Sequence, residues 1–309
     1  MASNLVHGKT IDELLGGMSQ RNSMMAGAGV SVDTANFFKQ AASLDNGMMI
    51  RAAQSPSDNL VSKQITDIVM LLDASWSMLG RIAEVVHGIN HGFRADIQED
   101  RNPERNNQRV TMYLYNTTIG VDFLSVDIDA NGDNARITGL PVVSTLEINS
   151  IPVMKLPEIH EDDYECTGGT PMNKTILLAL GAQSLQSEAL QLGLVGKRTA
   201  STKMIVGVGD GGNTEWSERG IDLSNQSIKV VADDLTRQET WSLLWAMTTD
   251  AYVELDDLVA EIGFHKGRLI EPGGWRDFMN IVSQSAQQVS MSANNGGSAS
   301  NLAQSNNFF

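Results

Sequence analysis

The stretch "DIVMLLDASWSM", residues 67–78, decides how the chain is read. A short continuous apolar run bounded by polar residues is the mark of a strand buried on both faces, as in a parallel sheet with helices above and below. This run ends in Asp73, Ser75 and Ser77, so three oxygen-bearing side chains stand at the mouth of a buried strand. They are placed to hold a metal ion, attack a substrate or cap a helix.

Outward from this strand the pattern alternates. Further strands are expected at "RVTMYLYN", "KMIVGVGD", "WSLLWAMTT" and the short "GRLIE", with helices between them. In the first helix Ile82, Val86, Ile89 and Phe93 form one stripe, and Trp275, Phe278, Val282, Ala286 and Val289 form another in the last. From about 64 to 290 this spells an α/β fold, doubly wound, with a mostly parallel central sheet and helices on both faces. Residues 117–165 break the rhythm. They read as an antiparallel edge strand with β-hairpins, one turning at Asn131-Gly132 and one near Asn149 to Pro152.

The flanks differ in composition. Residues 1–63 mix short apolar pieces with Gly, Ser, Met and Asn, and are expected to be an extension, partly helical near 33–44. Its five methionines between Met18 and Met49 either pack on the main domain, stay loose or form an adaptable binding strip. Residues 291–309 are polar and rich in Gly, Ser and Asn, which predicts a flexible tail, with Phe308 and Phe309 as a possible docking peptide.

Composition narrows the function classes. The 309 residues are 41% hydrophobic, enough for a sizeable core, and 37 acidic against 22 basic residues give a net charge of −15. That balance repels nucleic-acid phosphates and anionic membranes and suits cations or basic partners. The single cysteine, Cys166, excludes an internal disulfide framework and fits a reducing, cytoplasmic setting. No secretory signal pattern or run of 18 apolar residues is visible, so neither export nor membrane insertion is expected.

In a doubly wound sheet ligands bind beyond the carboxyl ends of the strands. Asp73, Ser75 and Ser77 lie at one such end, Thr170 lies in "CTGGTPMNKTI" before a helix, and Asp210 ends "MIVGVGD". Two carboxylates and three hydroxyls are hard donors that suit Mg²⁺ or Mn²⁺. The structural alternative is capping, by Thr170 with Pro171 at the first helical position and by Ser77 ahead of the first helix. Capping alone does not explain two aspartates at neighbouring strand ends, which would raise each other's pKa without a cation.

The order D-x-S-x-S after a strand, then T-G-G-T-P, then Asp-Gly after a second strand resembles the von Willebrand factor A domain and its metal-ion-dependent adhesion site. The resemblance covers about residues 64–290 and implies a Rossmann-like A domain there. It implies that Ser75, Ser77 and Thr170 hold the metal directly or nearly so, and that Asp73 and Asp210 hold it partly through water. A remaining position would accept a carboxylate from a partner protein, bordered by Trp76, Gly169 and Gly211. Stretches such as "PVMKLPEIHEDDYECTGGTPMNKTI" look like the intracellular bacterial and phage members. These imply assembly, regulatory or stress-response work, beside an ATPase or kinase or as a virion or scaffold component.

Two departures from the family pattern bear on the partner. Trp76 stands where a small residue is common, either as an apolar anchor beside the ion or packed beneath a loop such as 211–219, and Gly212 replaces the usual acidic residue. No enzyme is expected. A phosphatase of the haloacid-dehalogenase type would want an aspartate where Ser75 stands, and no G-x-S-x-G elbow surrounds either serine. "DIDANGD" (127–133) begins like a calcium loop but has Thr138 at its twelfth position and reads as a hairpin turn with its carboxylates in water. His87 and His91 are spaced i, i+4 without the intervening glutamate of a zinc motif and are expected to face solvent.

Overall fold

The computed structural model describes residues 5–6, 8–20, 30–54, 64–100, 102–130, 141–195, 197–238, 240–249, 251, 253–304 and 309. The central strand β1 (Gln64–Asp73) is buried along nearly its whole length. It pairs in parallel with β2 (Gln108–Asn116) on one side and, on the other, with the strand Ala200–Gly209. The short strands β3 (Gly120–Phe123), β4 (Ser125–Ile128), β5 (Ser144–Glu147) and β6 (Ile151–Pro152) precede this last one, labelled β7. β8 (Trp241–Thr248) and β9 (Lys266–Ile270) complete the main sheet.

The main sheet runs β9-β8-β7-β1-β2-β3, with β6 also on β2, and only β3 and β6 are antiparallel. The chain leaves β1 toward β2 and later returns to β1's other flank as β7. The point where the winding reverses therefore lies between the carboxyl ends of β1 and β7.

Alternate residues of each strand feed two separate cores. Val69, Leu71, Ile205 and Trp245 meet α6 (Met172–Leu192), α7 (Asn225–Thr236) and α8 (Leu255–Ile262). Ile68, Met70, Val206 and Leu244 meet the opposite layer. This layer holds α4 (Ile82–Gly88), which continues through π-helical turns (Ile89–Arg94) into α5 (Ala95–Glu99), together with α9 (Trp275–Asn294). The expected stripes on the first and last helices are those that face the sheet: Val86, Ile89 and Phe93 are buried, as are all five named residues of α9.

The flanks belong to these cores. Helices α1 (Ile11–Gln20), α2 (Val32–Ala41) and α3 (Asn46–Ala53) lie over the outer side of α6, more helix than the sequence pattern suggested. Met48 and Met49 are fully buried, and the methyl of Met49 lies where a side chain on Gly181 would collide, so these methionines pack rather than form an open strip. Met24 and Met25 lie outside the described residues.

Residues 291–304 and Phe309 depart from the expectation of a flexible tail. α9 runs on to Asn294, α10 (Ala299–Ala303) packs beside β8, and Phe309 is buried edge-to-face against Phe278. Small residues at 299 and 303 allow that approach, and one aromatic ring supplies apolar area that the average composition hides. Phe308 lies outside the described residues.

The hairpin region also needs one correction. β4 and β5 pair antiparallel, while the Asn131-Gly132 turn lies outside the described residues. The strand after β5 does not fold back on it near Asn149; β6 pairs with β2 instead, with Ser150 turned to φ 51° between them. Among the described residues no helix is long and apolar enough to cross a membrane.

Candidate functional site

β1 and β7 are in register with Leu72 opposite Val208, which sets Asp73 level with Gly209 and just before Asp210. A Cβ at position 209 would stand 3.0 Å from both Asp73 Oδ2 and the Tyr115 hydroxyl, so glycine is what lets the carboxylate sit there. The Asp73 backbone is held by the hydroxyl of the buried Tyr164, which donates to its carbonyl.

The T-G-G-T segment is stitched across this end of the sheet. Thr167 N–H donates to Ala74 O (2.9 Å), Trp76 N–H to Gly168 O (3.0 Å), Thr117 N–H to Gly169 O (3.0 Å) and Thr214 N–H to Thr170 O (2.9 Å). These bonds bring the loops bearing Asp73, Ser75, Ser77, Thr170 and Asp210 together. Gly168 adopts φ +68°, and a side chain there would meet the hydroxyls of Thr117 and Thr118 at 2.5 and 2.8 Å. Gly169 packs on Thr214, and Gly211 (φ +82°) on Met247 and Val253.

Thr117, Thr118 and Thr214 were not singled out from sequence. The first two follow the carboxyl end of β2, where the strand-end rule that found Asp73 also applies. Asn116 shapes that turn, accepting from the N–H groups of Thr118 (2.9 Å) and Ile119 (2.7 Å).

Capping does not account for the hydroxyls. α6 starts after Pro171 with no side-chain cap, and Ser77 lies inside a 3-10 turn (Trp76–Arg81) rather than ahead of a helix. Instead the Ser75 and Ser77 hydroxyls are 3.0 Å apart. Trp76 is 65% exposed, which excludes the reading in which it packs beneath the 211–219 loop.

Asp73 is fully buried. Its Oδ1 accepts from the Ser75 N–H (2.8 Å), and its Oδ2 is enclosed without a hydrogen-bond partner. Burial raises its pKa to about 7, hydrogen bonds from Ser75 oppose this, and the nearby Asp210 carboxylate adds to the rise. Burial and the Asp73 charge also push the Cys166 thiol up to about 12. Among the described residues neither Asp73 nor Asp210 forms an ion pair. Nor do three or more His, Cys, Asp or Glu side chains gather as a metal group. A cation at this place would therefore depend on two carboxylates supplemented by hydroxyls, a donor set suited to a hard ion that keeps water.

No family model matches the chain, and no curated protein matches it. Solved structures similar to it include the pilus adhesin SpaC from Lactobacillus rhamnosus GG, 12% identical with a TM-score of 0.40 over 74% of this chain and 30% of that one. The PilB minor pilin from Streptococcus sanguinis is 13% identical, TM-score 0.40, over 75% and 64%. The SpRpn10 VWA domain is 10% identical, TM-score 0.37, over 70% and 94%. The chain thus spans less than two thirds of the first two. Likeness at this level assigns neither family nor partner.

Two further sequence features find their places. Asp129, expected to face water, is buried, and the rest of its loop from 131 onward lies outside the described residues. His87 and His91 are exposed as expected, with ring centroids 4.5 Å apart.

Proposed function

We propose that this chain is a metal-dependent protein-binding module of the von Willebrand A type. Asp73, Ser75, Ser77, Thr170 and Asp210 would hold Mg²⁺ or Mn²⁺ between the carboxyl ends of β1 and β7. The observation that carries this reading is the enclosed, unpartnered Asp73 Oδ2 beside a second carboxylate. A buried acceptor of this kind is costly unless something positive completes it. The bound ion would supply an electrophilic position for an acidic side chain of a partner protein. Trp76, exposed beside the ligating serines, would add an apolar anchor, and Gly169 and Gly211 would keep the rim low.

A hydrolytic role is disfavoured by the same contacts. The Ser75 hydroxyl lies 3.0 Å from that of Ser77 and hydrogen-bonds the Asp73 carboxylate, and among the described residues no histidine joins them as the base of a hydrolase triad would.

Melting in Mg²⁺ or Mn²⁺ against EDTA tests the proposal. At about 100 times its dissociation constant, a ligand that binds only the folded chain stabilises it by about 2.7 kcal/mol. The melting temperature should rise with metal in the wild type and stay flat in Asp73→Ala. Equal curves in metal and EDTA would refute the site.

A further inference from the structure

On the face of the molecule formed by α4 and α9, a cavity of about 590 Å³ is lined by three of the chain's five histidines, His87, His91 and His160. The helix sequence is "HGINHG", a histidine followed by glycine, twice. The glycines explain the packing. A Cβ on Gly88 would stand 2.9 Å from the Trp275 carbonyl oxygen, and one on Gly92 2.5 Å from that of Arg276, so the helix lies directly against the start of α9. His87 and His91, one residue before each glycine, remain exposed at the cavity.

The opposite wall is fixed as firmly. Asn90, between the two histidines, is buried and clamps Ile159 in both directions: its Nδ2 donates to Ile159 O (2.7 Å), and Ile159 N–H donates to its Oδ1 (3.0 Å). That clamp sets His160 on the same cavity. The helix here runs in π-helical turns from Ile89 to Arg94, a rare geometry that often marks functional positions.

The ring centroids of His87 and His91 are 4.5 Å apart, with planes tilted by 40°. Two nitrogens bound to one tetrahedral zinc at about 2.0–2.1 Å lie roughly 3.3 Å from each other, a spacing that rings at this separation can present. Imidazole favours zinc, copper and nickel, whereas magnesium prefers oxygen. Among the described residues no third His, Cys, Asp or Glu already completes the group.

We propose that His87 and His91 form a two-point chelate for a borderline divalent transition-metal ion, with its remaining positions open to the cavity on the side of His160. This site is separate from the one between β1 and β7 and does not depend on it.

Titration of the full chain with Cu²⁺, followed by paramagnetic resonance and calorimetry, tests the assignment. One ion should bind with a nitrogen signature, unaffected by excess Mg²⁺. His87→Ala and His91→Ala should each weaken it by at least about tenfold, on the scale at which altered metal surroundings lower affinity. His91→Gln, which keeps size and polarity, serves if an alanine variant folds poorly. Asp73→Asn and His7→Ala should bind Cu²⁺ like the wild type. Unchanged binding in both His87 and His91 variants, an oxygen-only signature, or a loss shared with Asp73→Asn would mean adventitious or misplaced binding and overturn the proposal.

Discussion

Asp73 carries a testable cost. Its carboxyl titrates near 7 when folded against a usual 3.8, so the protonated form is favoured in the native state. The stability it contributes is fully present below about 3.8 and is lost as pH rises through about 7. His265 acts in the opposite sense. Burial lowers its pKa from 6.5 to about 4, so its contribution is present above 6.5 and lost as pH falls through about 4. In EDTA, Asp73→Asn should therefore remove the loss on the alkaline side and stabilise the chain at pH 8 by on the order of a few kcal/mol, while leaving the acid-side loss intact. Chemical denaturation at pH 4, 6 and 8 would show this; an unchanged slope above pH 5 would contradict the burial assigned to Asp73. Trp76→Ala should change stability by less than about 0.5 kcal/mol, as surface substitutions usually do. The proposed ligands were legible because hydroxyls and carboxylates at the end of an apolar strand are conspicuous. Thr117 and Thr214 were not, because they enter through backbone bonds to the T-G-G-T segment, and Thr118 was not, because it enters through its close approach to Gly168; spacing reveals neither.

At the scale of elements, four of the five parallel strands were legible because burial on both faces forces continuous apolar runs, whereas the edge strand β9, with only Ile270 buried, was legible as a short apolar step between two helical stretches. β6 was misassigned because two residues carry no period, and pairing with β2 rather than β5 is a tertiary choice. α6 shows the limit of stripe reading. It is buried nearly all round, with Gln183 and Gln186 accepting from the buried Lys203 of β7, whose ammonium also pairs with Asp67 of β1. Polar residues therefore appear on a face that pattern alone would give to solvent. Strand packing yields a sharper test at Gly207, where a Cβ would lie 2.1 Å from the buried Trp245 ring. Gly207→Ala should destabilise by about 1–3 kcal/mol or more, as overpacked cores do, in metal and EDTA alike. A neutral effect on urea unfolding would show that the β7–β8 packing is looser than described.

Across the whole molecule, the ends of the chain close both cores, which composition concealed: a Gly/Ser/Asn-rich stretch reads as loose until the positions of Ala299, Ala303 and Phe309 are known. Phe309→Ala should cost about 2 kcal/mol, because it removes a buried ring packed edge-to-face on Phe278. A melting temperature equal to wild type would restore the free-tail reading. Removing residues 11–53 should bare the outer side of α6, seen as increased binding of a hydrophobic dye and a lower soluble yield. The cover over α6 also has a consequence in time. On a ribosome adding about 5–20 residues per second, α3 emerges roughly 6–25 s before the helix it covers has been made. Through that interval Phe38, Met48 and Met49 lack their eventual partner, so nascent chains paused before residue 172 should engage holding chaperones and be cut readily by protease within 11–53. Release from the pause should end both.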